Sequence, residues 1–154
     1  KGFDVVIDAF GAWTEDTLPL HSSSLKKLCD LLSGTAIRLL VVGGAGSLYV
    51  DSQHTTCLAD SPDFPDGFKP LAAAMAKALG ELKQRNDVQW TYLSPAADFQ
   101  ADGVRSGNYL LGGEELTLNS HGKSVISYAD YAIAMIDEAE NGQHIQQRIS
   151  VVSA

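Results

Sequence analysis

The residues best placed to do chemistry in this chain stand together in Gly43-Gly44-Ala45-Gly46-Ser47. There the apolar run Arg38-Leu39-Leu40-Val41-Val42 breaks abruptly into glycines and a hydroxyl. A continuous run of this kind reads as a parallel strand buried on both faces, and open α/β sheets bind their ligands just beyond the carboxyl ends of such strands. A ligand site is therefore expected at the glycines. They do not form a phosphate loop, since Gly-x-Gly-x-x-Gly and a P-loop lysine are both missing. No Gly-x-Ser-x-Gly elbow surrounds Ser47, which argues against a serine hydrolase. Further along, Phe99, Arg105 and Tyr109 could line a substrate pocket, with rings for stacking and a guanidinium for an anionic group. The plainer alternative is that these aromatics pack their own loop. His21, His54, His121 and His144 are dispersed without His-x-x-x-His or paired-carboxylate spacing, so no metal is expected. Cys29 and Cys57 make neither a disulfide framework nor a metal cluster, and read as free thiols in a reducing, cytoplasmic setting.

The elements that must position these residues alternate along the chain. Phe3 to Phe10 is a β-branched and apolar run that suits a buried strand with almost no lead-in. Leu20, Leu25, Leu28, Leu31 and Leu32 approximate one face of a helix stopped by Ser33-Gly34. The Arg38 run is the second strand, and 51–67 is a loop rich in Ser, Thr, Asp and Pro. Leu71 to Arg85 makes a second helix with Leu71, Met75, Leu79 and Leu82 on one face, Pro70 fitting its first turn. Val88 to Leu93 is a third strand that ends at Ser94-Pro95. The glycine-rich stretch from Phe99 to Ser120 reads as an excursion over the sheet, with a short strand pair near 108–111 and 115–118. Ser127 and Asp130 have the spacing of a helix cap, so Asp130 reads as a capping residue rather than an acid; Ala129, Ala132, Ile133 and Ile136 follow as the buried face and Gly142 as the stop. Arg148 to Val152 is the last strand. This alternation predicts an α/β domain with a parallel sheet and right-handed crossovers.

Composition narrows the function classes. The 154 residues carry 19 acidic and 11 basic side chains, a net charge of -8 that repels phosphate backbones and anionic lipid. Nucleic acid and membrane are therefore not expected partners. Apolar residues make up 45% of the chain, enough for an ordinary core, yet no apolar segment approaches the roughly 20 residues that span a bilayer.

Four segments in order resemble one family: Val5-Val6-Ile7-Asp8-Ala9-Phe10-Gly11, then Leu39 to Leu48, then Thr91-Tyr92-Leu93-Ser94-Pro95-Ala96-Ala97-Asp98-Phe99, and Ile126-Ser127-Tyr128-Ala129-Asp130-Tyr131-Ala132. They are similar to the atypical short-chain dehydrogenase/reductases of the NADH-flavin reductase kind, small Rossmann proteins that bind NAD(P). The resemblance implies a doubly wound parallel sheet with helices on both faces, and hydride transfer from NAD(P)H to FMN, FAD or a similar small-molecule acceptor. A non-catalytic NAD(P)-binding redox sensor is the alternative.

The resemblance also assigns roles. It places Ala9, Phe10 and Gly11 against the dinucleotide; Gly11 read without it is a turn glycine with positive φ. It makes Gly43 and Gly44 cofactor contacts and Ser47 the catalytic hydroxyl, where the plainer reading is a turn serine. Lys77 falls where the lysine of the family's Tyr-x-x-x-Lys pair holds the nicotinamide ribose and lowers the tyrosine pKa. Ala73 stands at the tyrosine position, so the usual proton relay is absent, which suits a flavin acceptor that takes its proton from water. Read alone, Lys77 is a solvated helix lysine. Ser94, Pro95, Ala96 and Ala97 match the turn that lies against the nicotinamide, although a proline-terminated strand would look the same.

Family members open with a Gly-rich strand, turn and helix that have no counterpart before Phe3. The expectation is a single Rossmann-like domain over 1–154 that lacks those first elements and is inactive by itself. Its first strand should expose an open edge, covered in a homo-oligomer or strand-exchanged dimer.

Overall fold

The computed structural model describes residues 2–154. Strand β1 (Val5–Asp8), helix α1 (Leu20–Leu32), strand β2 (Arg38–Val42), helix α2 (Lys69–Lys83), strands β3 (Gln89–Ser94), β4 (Asp98–Gln100), β5 (Tyr109–Gly112) and β6 (Val125–Ser127), helix α3 (Tyr128–Asn141) and strand β7 (Gln147–Ser153) follow in that order. Among the described residues the main sheet runs β1-β2-β3-β7-β5. Its first four strands are parallel, and β5 joins the far edge antiparallel to β7. β4 and β6 form a separate parallel pair.

Helices cover both faces of this sheet. On one side Leu25, Cys29 and Leu32 of α1 and Ala78, Leu79 and Leu82 of α2 bury against Leu39, Val41, Trp90 and Tyr92. On the other, Tyr131, Ala134 and Met135 of α3 bury against Leu40, Leu93, Ile126 and Ile149. Successive residues of β2 thus feed opposite layers, which is why its sequence is apolar throughout. The architecture is a Rossmann-like α/β fold.

The four parallel strands of the main sheet and the three helices follow in the order of the sequence reading, which has no counterpart of β4 or β6; several faces also differ. α1 turns inward His21, Leu25, Cys29 and Leu32, while Leu20 and Leu31 stay exposed. His21 takes an inner place because its Nε2 lies 2.9 Å from the Ala12 carbonyl oxygen, so the ring is buried with a hydrogen-bonding partner. α3 departs further from expectation. Ala132 and Ile136 are exposed and Ala129 and Ile133 half-buried, while the inward residues are Asp130, Tyr131, Ala134, Met135 and Glu138. Both inward carboxylates are well bonded: Asp130 accepts from the Ser106 and Gly107 amides and the Ser106 hydroxyl, and Glu138 from Arg38 and the His144 amide, with the His144 ring Nδ1 2.7 Å away. Hydropathy alone places such residues outside; satisfied hydrogen bonds bring them in. The cap itself forms, the Asp130 amide donating to Ser127 Oγ at 3.0 Å, and Gly142 closes the helix at φ 60°.

Two strand expectations are corrected. The first strand is only Val5–Asp8 rather than Phe3 to Phe10, and its residues are half-buried or exposed, because β1 pairs with β2 alone and forms a sheet edge. Tyr109–Gly112 is a strand, but its partner is β7, not 115–118; Glu115 makes only an isolated bridge to Tyr49.

Candidate active site

Beyond the carboxyl ends of β2 and β3 opens a cleft of about 840 Å3, within the range of small-molecule sites. Its floor is the Gly44-Ala45-Gly46-Ser47 turn and Pro95-Ala96-Ala97. One wall is Phe64 and Phe68 with Leu71, Ala72 and Met75 of α2; the other is Phe99 and Tyr128.

Packing explains why the floor needs glycine. A Cβ on Gly43 would lie 2.1 Å from the Tyr92 ring, and one on Gly46 would lie 2.9 Å from Ala72 Cβ. The missing side chains therefore let Tyr92 and α2 rest directly on the backbone. The Gly44 amide donates to Tyr92 Oη at 3.1 Å. Burial pushes the Tyr92 phenol up from its ordinary pKa, so it stays protonated near neutrality and is no base. Beneath the turn, the Leu93 carbonyl accepts both the Gly43 amide at 2.9 Å and the Tyr131 hydroxyl at 2.7 Å.

Ser47 is held by Arg148, whose side chain is 1% exposed. Nη1 donates to Ser47 Oγ at 2.9 Å and to Ser94 Oγ at 3.2 Å, and Nη2 donates to the Ser47 carbonyl at 3.0 Å. The guanidinium is balanced by Glu114, which accepts from Nη2 at 2.6 Å and from Nε at 3.0 Å and also takes Lys83 at 3.0 Å. Burial alone would raise the Glu114 carboxyl, but Lys83 and Arg148 outweigh it and hold the group below the usual carboxylate range. A hydroxyl that accepts from a guanidinium keeps its own proton to donate. Ser47 is thus set up as a hydrogen-bond donor rather than a nucleophile.

The structure gathers Gly44, Ser47, Pro95, Ala96, Ala97 and Phe99 along the cleft, with Gly43 and Ser94 buried beside it. Lys77 is not among them: its side chain is 71% exposed, pairs with Glu81 at 3.4 Å, and shares the outer face of α2 with Ala73. A Tyr-x-x-x-Lys pair at these positions would point into solvent. Ala9, Phe10 and Gly11 follow β1 and do not line the cleft; Phe10 sits edge-on to His21 with ring centroids 5.6 Å apart. Gly11 does not adopt a positive φ; instead the Trp13 ring lies 2.4 Å from where its Cβ would be. Of the three residues expected to share a pocket only Phe99 lines this one. Arg105 is exposed, and Tyr109 donates to Asp137 at 2.6 Å, its phenol pushed up to about 12 by burial and that carboxylate.

Sequence reasoning missed Tyr92, Arg148, Glu114, Phe64, Phe68 and Tyr128. A lone charge opening the apolar strand Arg148-Ile149-Ser150-Val151-Val152 was the available signal for Arg148. Nothing in the loop pattern marked Phe64 or Phe68. Among the described residues no group of three or more His, Cys, Asp or Glu is placed to hold a metal ion, and no helix is long and apolar enough to cross a membrane.

A Rossmann-like sheet with its cleft at the strand ends defines the class of protein. No known family profile matches the chain. It is 46% identical over 154 residues to YwnB, an uncharacterized protein of Bacillus subtilis strain 168, covering 99% of this chain and 72% of that protein. The crystal structure of a putative NADH-flavin reductase from Streptococcus pneumoniae TIGR4 superposes with a TM-score of 0.96 at 57% identity, over 99% of this chain and 73% of that one. A putative exported protein from Burkholderia pseudomallei superposes at 0.86 with 37% identity, over 98% of this chain and 72% of that one. The chain belongs to the family of YwnB and the Streptococcus protein.

Proposed function

We propose that the protein is an NAD(P)H-dependent oxidoreductase whose cleft takes a planar acceptor such as a flavin. The observation that carries this reading is the cleft itself, which lies at the strand ends where Rossmann-like sheets bind ligands and is floored by glycine, alanine and proline between aromatic walls. The name of the 57% identical Streptococcus relative supports it.

The residues present fit the flat end of a nicotinamide cofactor. Gly44, Pro95, Ala96 and Ala97 offer only backbone and small side chains at the strand ends, so a ring can approach closely. Among the described residues none of the helices opens on a Gly-rich phosphate-binding turn, so the fit is to that end alone. A bound reduced nicotinamide supplies a hydride. This chain supplies orientation and a dry floor: Ser47 Oγ, fixed by Arg148, donates a hydrogen bond into the cleft, and Phe99 and Tyr128 provide a face for stacking. The acceptor's proton comes from water, since Ala73 stands four residues before Lys77 where the family's tyrosine would be and Lys77 itself lies outside.

Stopped-flow mixing with NADH and NADPH, with and without flavin, tests the reading. Flavin-stimulated oxidation of the nicotinamide is the expected result when the chain carries the family's Gly-rich opening elements ahead of Phe3; tight nicotinamide binding without turnover in that protein would replace it with a redox sensor.

A further inference from the structure

Resting on the acceptor reading of the cleft, two observations select among planar acceptors. The first is an unusual amount of exposed ring surface at the mouth: Phe68 is 59% and Tyr128 51% exposed, on opposite walls. Behind Tyr128, Phe99 packs with ring centroids 4.2 Å apart and also against Tyr131 at 4.8 Å, so this wall is a fixed aromatic surface. Exposed apolar rings on two walls of one cleft mark a place where a flat apolar group can sit.

The second is charge. The ionisable carboxylates lining the cleft are Asp63 and Asp98, both exposed and set on the two different walls; among the described residues no lysine, arginine or histidine lines it. Lys69, near the mouth in sequence, is paired with Asp66 at 2.8 Å. The Arg105 guanidinium, which could have welcomed an anion, lies outside the lining. A phosphate entering this cleft would meet two like charges and no counter-charge.

We infer that the cleft is selective for uncharged planar acceptors, riboflavin or a quinone ring, over the phosphorylated flavins FMN and FAD. Asp63 and Asp98, both exposed at the rim of the cleft, with Asp98 accepting from Gln100 Nε2 at 2.9 Å, weaken FMN, whose phosphate carries nearly two negative charges, relative to riboflavin by about tenfold at low ionic strength. The ring is common to both ligands, so the difference isolates the phosphate.

Titration of the purified protein by quenching of flavin fluorescence tests this without requiring turnover. Riboflavin is expected to bind more tightly than FMN, with the gap closing in about 0.5 M salt, where the screening length is about 4 Å. In the Asp63→Lys/Asp98→Lys double variant the preference should reverse, and in Asp63→Asn/Asp98→Asn it should vanish. All four changes are at exposed positions, and circular dichroism verifies that the fold is kept. FMN binding as tightly as riboflavin, or a gap indifferent to salt and to these variants, would overturn the inference while leaving the acceptor reading intact. Absence of quenching for both flavins would overturn the acceptor reading, and the selectivity with it.

Discussion

Each end of the sheet is built around one inward arginine, Arg148 buried and Arg38 half-buried, and the two are used differently. At the carboxyl ends of the strands Arg148 directs its donors to Ser47, Ser94 and Glu114. At the opposite end Arg38, the first residue of β2, donates to Thr91 Oγ1 at 2.8 Å and Glu138 Oε1 at 3.1 Å, but its buried Nε has no partner among the described residues. Glu138 is shared with His144, whose amide donates at 2.9 Å, and the Thr91 hydroxyl donates to the His144 carbonyl. At the cleft end the guanidinium fixes the hydroxyl of Ser47 beside the cleft. The other end closes the sheet onto α3. A buried arginine therefore signals a site only where its partners are themselves presented to a cleft.

The largest way to break the comparison is Arg148→Met. Removing the guanidinium leaves Glu114 short of its main partner and unties the Ser47 turn, so a loss of about 3–5 kcal/mol is expected in urea unfolding, as for broken buried pairs. Flavin quenching should weaken in the same variant. A stability loss below about 1 kcal/mol would show that Arg148 does not organise the cleft.

A smaller effect is expected from Glu138→Gln at the other end, about 2–3 kcal/mol, with flavin binding unchanged. Here pH sharpens the contrast. Burial raises the Glu138 carboxyl, but the His144 and Arg38 hydrogen bonds outweigh it and the net pKa is lowered. A depressed carboxyl contributes stability that is full above its unfolded value of about 4.3 and is lost as pH falls through the lower folded value. The difference between wild type and variant should thus be complete at neutral pH and close in acid. A gap that widens in acid would contradict the assignment.

The smallest effect is Lys77→Ala. The outer face of α2 belongs to neither end, so stability should change by no more than about 0.5 kcal/mol and turnover with flavin by less than about twofold. A large loss of turnover would restore the role that the Tyr-x-x-x-Lys resemblance implies.

Much of the fold was legible because it depends on local pattern. The β2 run, Pro70 in the first turn of α2 and the Ser127 cap appear where periodicity and capping put them. The inward faces of α1 and α3 were less legible, because His21, Asp130 and Glu138 are buried by hydrogen bonds to residues far along the chain, and hydropathy carries no record of such partners. At the site, the glycine turn announced itself, but its reason did not: Gly43 is required by Tyr92, 49 positions away. Likewise the expected set of Phe99, Arg105 and Tyr109 was a guess from residue type, and tertiary placement kept only Phe99 at the cleft.

The doubly engaged carbonyl of Leu93 has a mechanical meaning. One oxygen is gripped from one side by a phenol rooted in α3 and from the other by the amide that begins the glycine turn. Helix α3 is thereby tied to the glycine turn through a single atom. Repacking under α3 by as little as one methyl group would be transmitted through that atom to the glycine turn that floors the cleft.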